Sequence, residues 1–240
     1  MEESMIGRGR DAIEMIVDDG SFLENEVGGK SFDADYGPGA VIGTAKLDGM
    51  EATVIANDAQ AINPRFPVVY FGVIGMEEAY KMACAVYETI EADADKPVGE
   101  KRPIVLIVDT PGNAPGKVEE IFGMNKATGG YQLALAEARK RGHAVIAMVI
   151  GRAISGAFLC HGLQADHILA LPKQYGTVIH VMPLSSISRS WMLSPSSREK
   201  STSTSSWANL PMMRGSRCTK NRWGAATVSC PVFRVLRSLI

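Results

Sequence analysis

Five consecutive apolar residues, Ile104-Val105-Leu106-Ile107-Val108, constrain this chain more than any other feature. They lie between Pro103 and the turn-rich run Asp109-Thr110-Pro111-Gly112-Asn113-Ala114-Pro115-Gly116. A run this short and this apolar, rich in β-branched residues and flanked by turn signals, reads as a strand covered on both faces. A helical pattern follows, its second part Tyr131 to Arg141 ending in basic residues and Gly142, as a helix C-terminus should. The unit then repeats: strand Ala144 to Ile150, turn Gly151-Arg152-Ala153-Ile154-Ser155-Gly156, helix Ala157 to Gln164, strand His167 to Leu171. Strand, glycine turn and helix, twice over, predict an α/β fold of parallel strands with helices packed outside.

Upstream, residues 8 to 27 hold an amphipathic helix with Ile13, Ile16 and Val17 on one face and Asp18-Asp19-Gly20 as its stop. Pro38-Gly39 leads into a strand at 40 to 45, and Asp48-Gly49 is a two-residue hairpin signal before a second strand at 52 to 56. Glu77 to Ala92 is helical in period, with Ala79, Met82, Ala83, Val86 and Ile90 apolar. With 240 residues, 46% of them hydrophobic, the chain is long enough for a sizeable core. No stretch reaches the 18 or so apolar residues of a spanning helix, and the acidic start Met1-Glu2-Glu3-Ser4 is unlike a secretory signal, so a cytoplasmic protein is expected. A formal net charge of −1 gives no case for a nucleic-acid or membrane partner, and the four cysteines show neither a disulfide framework nor zinc-ligand spacing.

That near-neutral total hides an asymmetry. Residues 1 to 184 carry 16 Lys/Arg against 25 Asp/Glu, whereas 185 to 240 carry nine Lys/Arg, the single acid Glu199, fourteen Ser and all three Trp. A basic nucleic-acid arm and a disordered linker are two readings of the second segment. The linker reading sits poorly with Trp191, Trp207, Trp223 and the apolar end Val232 to Leu236. Its lack of any sustained period of 2 or 3.6 favours a third: out-of-frame translation, poorly ordered, following a domain at 1–184.

A buried strand that ends in a glycine turn before a helix gathers unobstructed backbone N–H groups at one point, which suits an anion. Phosphate readings fail on spacing. Gly112 to Gly116 is one residue short of a P-loop and lacks Ser or Thr after Lys117, and no GxGxxG follows either strand. Ser155 lacks a GxSxG elbow, and His161, six residues on, lies on another side of the same helix; Ser155 is expected as an N-cap and His161 as a buried histidine, with nucleophile and general acid as the weaker readings. Two donor turns suit an oxyanion hole for a thioester oxygen. Arg65, beside Asn63-Pro64, and Lys117 are the candidate cations for a substrate carboxylate or phosphate, with a surface role as the alternative for each.

The runs Asp109-Thr110-Pro111-Gly112-Asn113-Ala114-Pro115-Gly116 and Ser155-Gly156-Ala157-Phe158-Leu159-Cys160-His161-Gly162-Leu163-Gln164-Ala165, with the Arg65-Phe66-Pro67 region, resemble acyl-CoA carboxyltransferases of the crotonase-like superfamily. Within it they are most similar to the gamma subunits of malonate decarboxylases, over roughly residues 8 to 189. The resemblance implies a crotonase-like ββα superhelix that works with a related beta subunit, and by position it matches the backbone of Gly112, Asn113 and Ala114 and of Gly156 and Ala157 to the family's oxyanion hole. Malonyl would be carried as a thioester on the CoA-like prosthetic group of an acyl carrier protein subunit, loaded by an acyl carrier protein transferase subunit. The pair would decarboxylate malonyl-thioester to acetyl-thioester through an enolate, with no metal and no cofactor on this chain. Asn113 stands where an apolar or aromatic residue is usual in the carboxyltransferases, and Ser155 where a second glycine is usual; both fit the decarboxylase branch better and speak against biotin. No biotinyl Met-Lys-Met occurs, Met124-Asn125-Lys126 being a near miss. A biotin-dependent carboxyltransferase subunit and a non-catalytic crotonase-like scaffold are the alternatives.

Overall fold

A computed structural model describes residues 4–181; the basic segment at 185–240 lies outside the described residues. Along the chain run α1 (Gly9–Ile16), β1 (Leu23–Glu24), β2 (Glu26–Val27), β3 (Lys30–Ser31), β4 (Ala40–Leu47), β5 (Met50–Asn57), α2 (Met76–Ala92) and β6 (Ile104–Thr110). There follow α3 (Lys117–Phe122), α4 (Met124–Lys140), β7 (Val145–Ile154), α5 (Ser155–Cys160), β8 (His167–Ala170) and β9 (Val178–His180). The main sheet is ordered β1-β4-β5-β6-β7-β8, with β9 also pairing β7. β4 and β5 form the expected hairpin, closed by Asp48 (φ +51°) and Gly49 (φ +81°) in the left-handed backbone such a turn needs. From β5 onward every pairing in the sheet is parallel.

Alternation along each strand divides the core between the two faces of the sheet. Ile104, Leu106 and Val108 of β6, with Val145, Ala147 and Val149 of β7, face the layer built by α2, α4 and α5, where Met82, Val86, Tyr131 and Leu135 meet them. Val105 and Ile107, with Ile146, Met148 and Ile150, face the other way onto Ala12, Ile13 and Ile16 of α1. All seven residues of β6 are buried, so the run that dominates the sequence is the centre of the fold.

Two boundaries differ from the sequence expectation. β7 continues to Ile154 instead of ending at Ile150, because β9, a strand with no strong sequence signal, pairs with Arg152, Ala153 and Ile154. The helix expected at Ala157 to Gln164 starts at Ser155 and ends at Cys160, because His161 leaves helical backbone (φ −118°, ψ 82°) as its ring turns into the core. Among the described residues no helix is long and apolar enough to cross a membrane.

Candidate active site

Neighbouring parallel strands end on the same edge, so the turns that follow β6 and β7 emerge side by side. They touch. A Cβ placed on Gly112 would lie 3.5 Å from the Ser155 Cβ, and one placed on Gly156 would lie 3.2 Å from Asn113 Nδ2. The sequence placed these residues 43 positions apart; the sheet sets them so close that a side chain on either glycine would touch the opposite turn.

The amides of the first turn are not equally available. Ile74 forms an isolated parallel bridge with Asn113: its N–H donates to Gly112 O at 3.1 Å, and its O accepts from the Ala114 N–H at 3.0 Å. Ala114 is therefore corrected out of the expected oxyanion donors, because its N–H is already engaged in the fold. Gly112 N–H reaches Thr110 Oγ1 at 3.3 Å, a long bond that occupies a second member of the trio. In a parallel bridge the central residue of the opposing segment turns its own N–H away from the partner. That leaves the Asn113 N–H facing away from Ile74. The Asn113 Oδ1 is buried without a hydrogen-bond partner among the described residues.

In the second turn Ser155 adopts φ +59°, left-handed backbone that is uncommon outside glycine. Ile154 occupies the cap position in extended backbone (φ −123°, ψ 145°), and no side chain caps α5. The expected capping role of Ser155 is thus also corrected, because its side chain accepts no cap hydrogen bond from the first turn of α5. The Gly156 and Ala157 N–H groups at the start of α5 have neither a cap nor a preceding helical turn to accept from them, and Gly156 lies near the Asn113 side chain.

His161 is fully buried, its Nδ1 2.9 Å from the Tyr131 hydroxyl and its Nε2 3.0 Å from Ile107 O, with the Tyr131 ring stacked at 5.9 Å. Nε2–H donates to the carbonyl and Nδ1 accepts from the phenol. With both ring nitrogens occupied, His161 is the buried structural histidine and offers no nitrogen for general-acid catalysis. Burial pushes its pKa down to about 4, against the pull of the Ile107 carbonyl. A neutral His that charges in the unfolded chain near pH 6.5 stabilises the fold fully above that pH, and the contribution disappears as pH falls towards 4. The expected loss is ~3 kcal/mol. Urea midpoints between pH 7 and 4, read beside the His161 ring resonances, check this; a ring titrating near 6.5 contradicts it.

Arg65 does not wait for a substrate. Its Nε and Nη2 reach Glu77 at 2.7 and 2.9 Å, Nη2 also reaches Asp35 O, and the guanidinium lies over Tyr36. The surface-structural reading fits it. Lys117 is exposed at the start of α3 and has no ion-pair partner among the described residues. Also among the described residues, no cluster of His, Cys, Asp and Glu is placed to hold a metal ion.

A profile of the family described as "Malonate decarboxylase gamma subunit" matches residues 71–209. The chain belongs to the malonate decarboxylase gamma-subunit family. The match spans both glycine turns and reaches into the basic segment beyond residue 184. A curated relative, the malonyl-S-ACP:biotin-protein carboxyltransferase MADD of Malonomonas rubra, is 68% identical over 187 residues, which make up 78% of this chain and 64% of the relative. The chain therefore spans less than two thirds of that protein's length. Among solved structures it is similar to a Pseudomonas malonate decarboxylase hetero-tetramer in complex with coenzyme A (32% identity, TM-score 0.66, 82% of this chain and 70% of that one). It is also similar to a Pseudomonas MdcD-MdcE hetero-dimer (36% identity, TM-score 0.58, 64% and 59%). The fold is that of the crotonase-like carboxyltransferases.

The two glycine-rich runs singled out in the sequence are the two turns that meet at the ends of β6 and β7. Two charged residues inside them went unassigned in the sequence reading: Asp109, 2% exposed, and Arg152, 8% exposed. A charge is rarely buried unless paired, and these two pair with each other directly behind the turns, with Arg152 Nε 2.9 Å from Asp109 Oδ1.

Proposed function

We propose that this chain supplies one wall of the centre at which a malonyl group, held as a thioester on an acyl carrier protein, gives up its carboxyl group. The bond between the carboxyl carbon and the methylene carbon breaks, and its electron pair passes to the methylene carbon and the thioester oxygen as an enolate. Proton uptake at the methylene carbon then completes the acetyl thioester. An oxygen that gains charge in the transition state is stabilised by fixed N–H donors, each contributing about 2.7–4 kcal/mol in known oxyanion holes. The observation that carries this reading is the closeness of the two turns, with the Asn113 side-chain amide against the position a Gly156 side chain would take, and with main-chain N–H groups of both turns left over by the fold's own bonding. Lys117, exposed beside the first turn, is the cation suited to the phosphate of the carrier's CoA-like prosthetic group.

A beta subunit would close the groove from the other side, and a carrier-protein transferase subunit would load the carrier, all in the cytoplasm. Support for a partner comes from Val118, Ile121 and Phe122 of α3, exposed by 54%, 71% and 66%, with Phe66 edge-on to Phe122 at 6.3 Å. Apolar side chains gathered in this way mark an interaction surface.

The fate of the carboxyl group separates two readings. Asn113 and Ser155 led us to expect direct release without biotin. The 68% identical relative carries transfer to a biotin protein in its name, and overall identity at that level outweighs two positions; transfer to the biotin of another protein is the reading we adopt. Biotin of another protein would be a co-substrate, exchanging the proton on its ureido nitrogen for the carboxyl group and so balancing the proton taken up by the enolate, with no cofactor on this chain. With the partner subunits and malonyl-loaded carrier, the assembled complex is expected to form acetyl thioester, and avidin is expected to stop it. Turnover indifferent to avidin restores direct release, and no turnover of the malonyl thioester overturns the proposal.

A further inference from the structure

The two turns keep their spacing only if the strand ends that carry them are fixed, and regular pairing stops before those ends. β6 and β7 run in register from Ile104↔Val145 to Val108↔Val149, and the next pair is Thr110↔Ala153. One residue of β6 thus faces three of β7, Ile150, Gly151 and Arg152. A bulge of this kind bends a strand and leaves N–H groups without ladder partners.

Asp109 sits in that gap. Its Oδ1 accepts from the Arg152 N–H at 2.7 Å and from Arg152 Nε at 2.9 Å. Its Oδ2 accepts from Arg152 Nη2 at 2.9 Å and from the Gly7 N–H at 2.6 Å. Gly151 must lack a side chain, since a Cβ there would collide with the Asp109 carboxylate. On the far side of the guanidinium lies the Phe71 ring, 4.1 Å from Arg152 Cζ, in a loop whose Gly72 packs against Asp109 O. One buried carboxylate and one buried guanidinium therefore join β6, β7 and the segment before α1, and Phe71 covers the pair. Asp109 and Arg152 each stand four residues ahead of the two residues in contact, Asn113 and Gly156.

We propose that Asp109 and Arg152 are a positioning pair whose fork replaces the missing ladder bonds at the bulge and sets the separation of the Asn113 and Gly156 amides. Neither touches the substrate; they act through the turns. The inference rests on the function proposed above, because the separation matters to turnover only if those amides serve a common oxygen. Lysine at position 152 keeps the charge but cannot form the fork.

Three forms of the chain, each assembled with its partner subunit, test this. Arg152→Lys is expected to lower kcat at least about tenfold, since misplacement by about an ångström is enough for such losses, while KM for the malonyl thioester changes less than about twofold. The double variant Asp109→Asn with Arg152→Gln removes both buried charges, so that no unpaired ion is left in the core. It is expected to recover the wild-type melting temperature and not the wild-type kcat. A double variant that recovers both shows a merely structural pair and overturns the proposal. If the wild-type complex turns over no malonyl thioester, the functional reading fails and crystal structures of the variants decide this one. A separation between the Asn113 and Gly156 nitrogens changed by more than about 0.5 Å supports it, and an unchanged separation overturns it.

Discussion

Replacing Gly156 with valine lowers turnover of the malonyl thioester by about two to three orders of magnitude, the size expected when an oxyanion donor is lost, and leaves the chain associated with its partner. The cause is local. A Cβ at this position meets Asn113 Nδ2 at 3.2 Å and Oδ1 at 3.4 Å, so the two further methyl groups of valine displace the Asn113 side chain and fill the space between the turns where the oxygen would sit. Alanine provides the graded control: its Cβ alone is tight, the Asn113 amide can yield by a few tenths of an ångström, and a much smaller loss follows. Core strands are untouched, because Gly156 lies past the end of β7 and is only half-buried. Steady-state kinetics with size-exclusion analysis of the complex checks both parts. A valine variant with wild-type kcat would mean that the chain contributes an interface and no donor, which is the scaffold reading.

Removing the Asp93 carboxylate destabilises the fold by about 3–5 kcal/mol, the range for breaking a buried ion pair from one side. Asp93, fully buried after α2, receives the Arg102 N–H at 2.7 Å, Arg102 Nη2 at 2.8 Å and Lys96 Nζ at 2.9 Å. In Asp93→Ala, Arg102 keeps only the half-exposed Glu51 at 3.2 Å, while its own side chain is 8% exposed. Burial by itself would raise the Asp93 pKa, but these donors outweigh it and hold the value at about 2, below the ordinary 3.8. A carboxylate depressed in the folded state stabilises it fully above the unfolded value, so ~2.5 kcal/mol is in place above about pH 4 and is lost as pH falls through 2. Urea denaturation of wild type and Asp93→Ala at pH 7, 4 and 2.5 checks this: the two curves draw together in acid. A constant gap between them would remove the ion pair from the explanation.

Much of the architecture was legible because burial leaves a simple trace. The unbroken run Ile104 to Val108 could only be a strand with both faces covered, and the Asp48-Gly49 hairpin is a local matter of two backbone angles. The helix at 77 to 92 followed from its apolar period. Legibility failed where a partner came from far along the chain. β9 carries no strong pattern of its own, yet it extends β7 by its pairing at residues 152–154. Ser155 has the chemistry of a cap, but it takes a left-handed backbone at the start of α5 and makes no cap hydrogen bond there. Arg65 and His161 are residue types that often serve function, and only their neighbours, Glu77 for one and Tyr131 and Ile107 for the other, reveal structural roles.

The sequence by itself determined the layered α/β plan, the parallel strands, the two glycine turns and the family, because periodicity, turn chemistry and motif identity are properties of neighbouring residues. Tertiary structure decided which donors remain open and what holds them. Hydrogen bonds are exclusive, so the engagement of Ala114 N–H by Ile74 O, and of Arg152 by Asp109, depends on which segments the sheet sets side by side, and no local pattern records that choice.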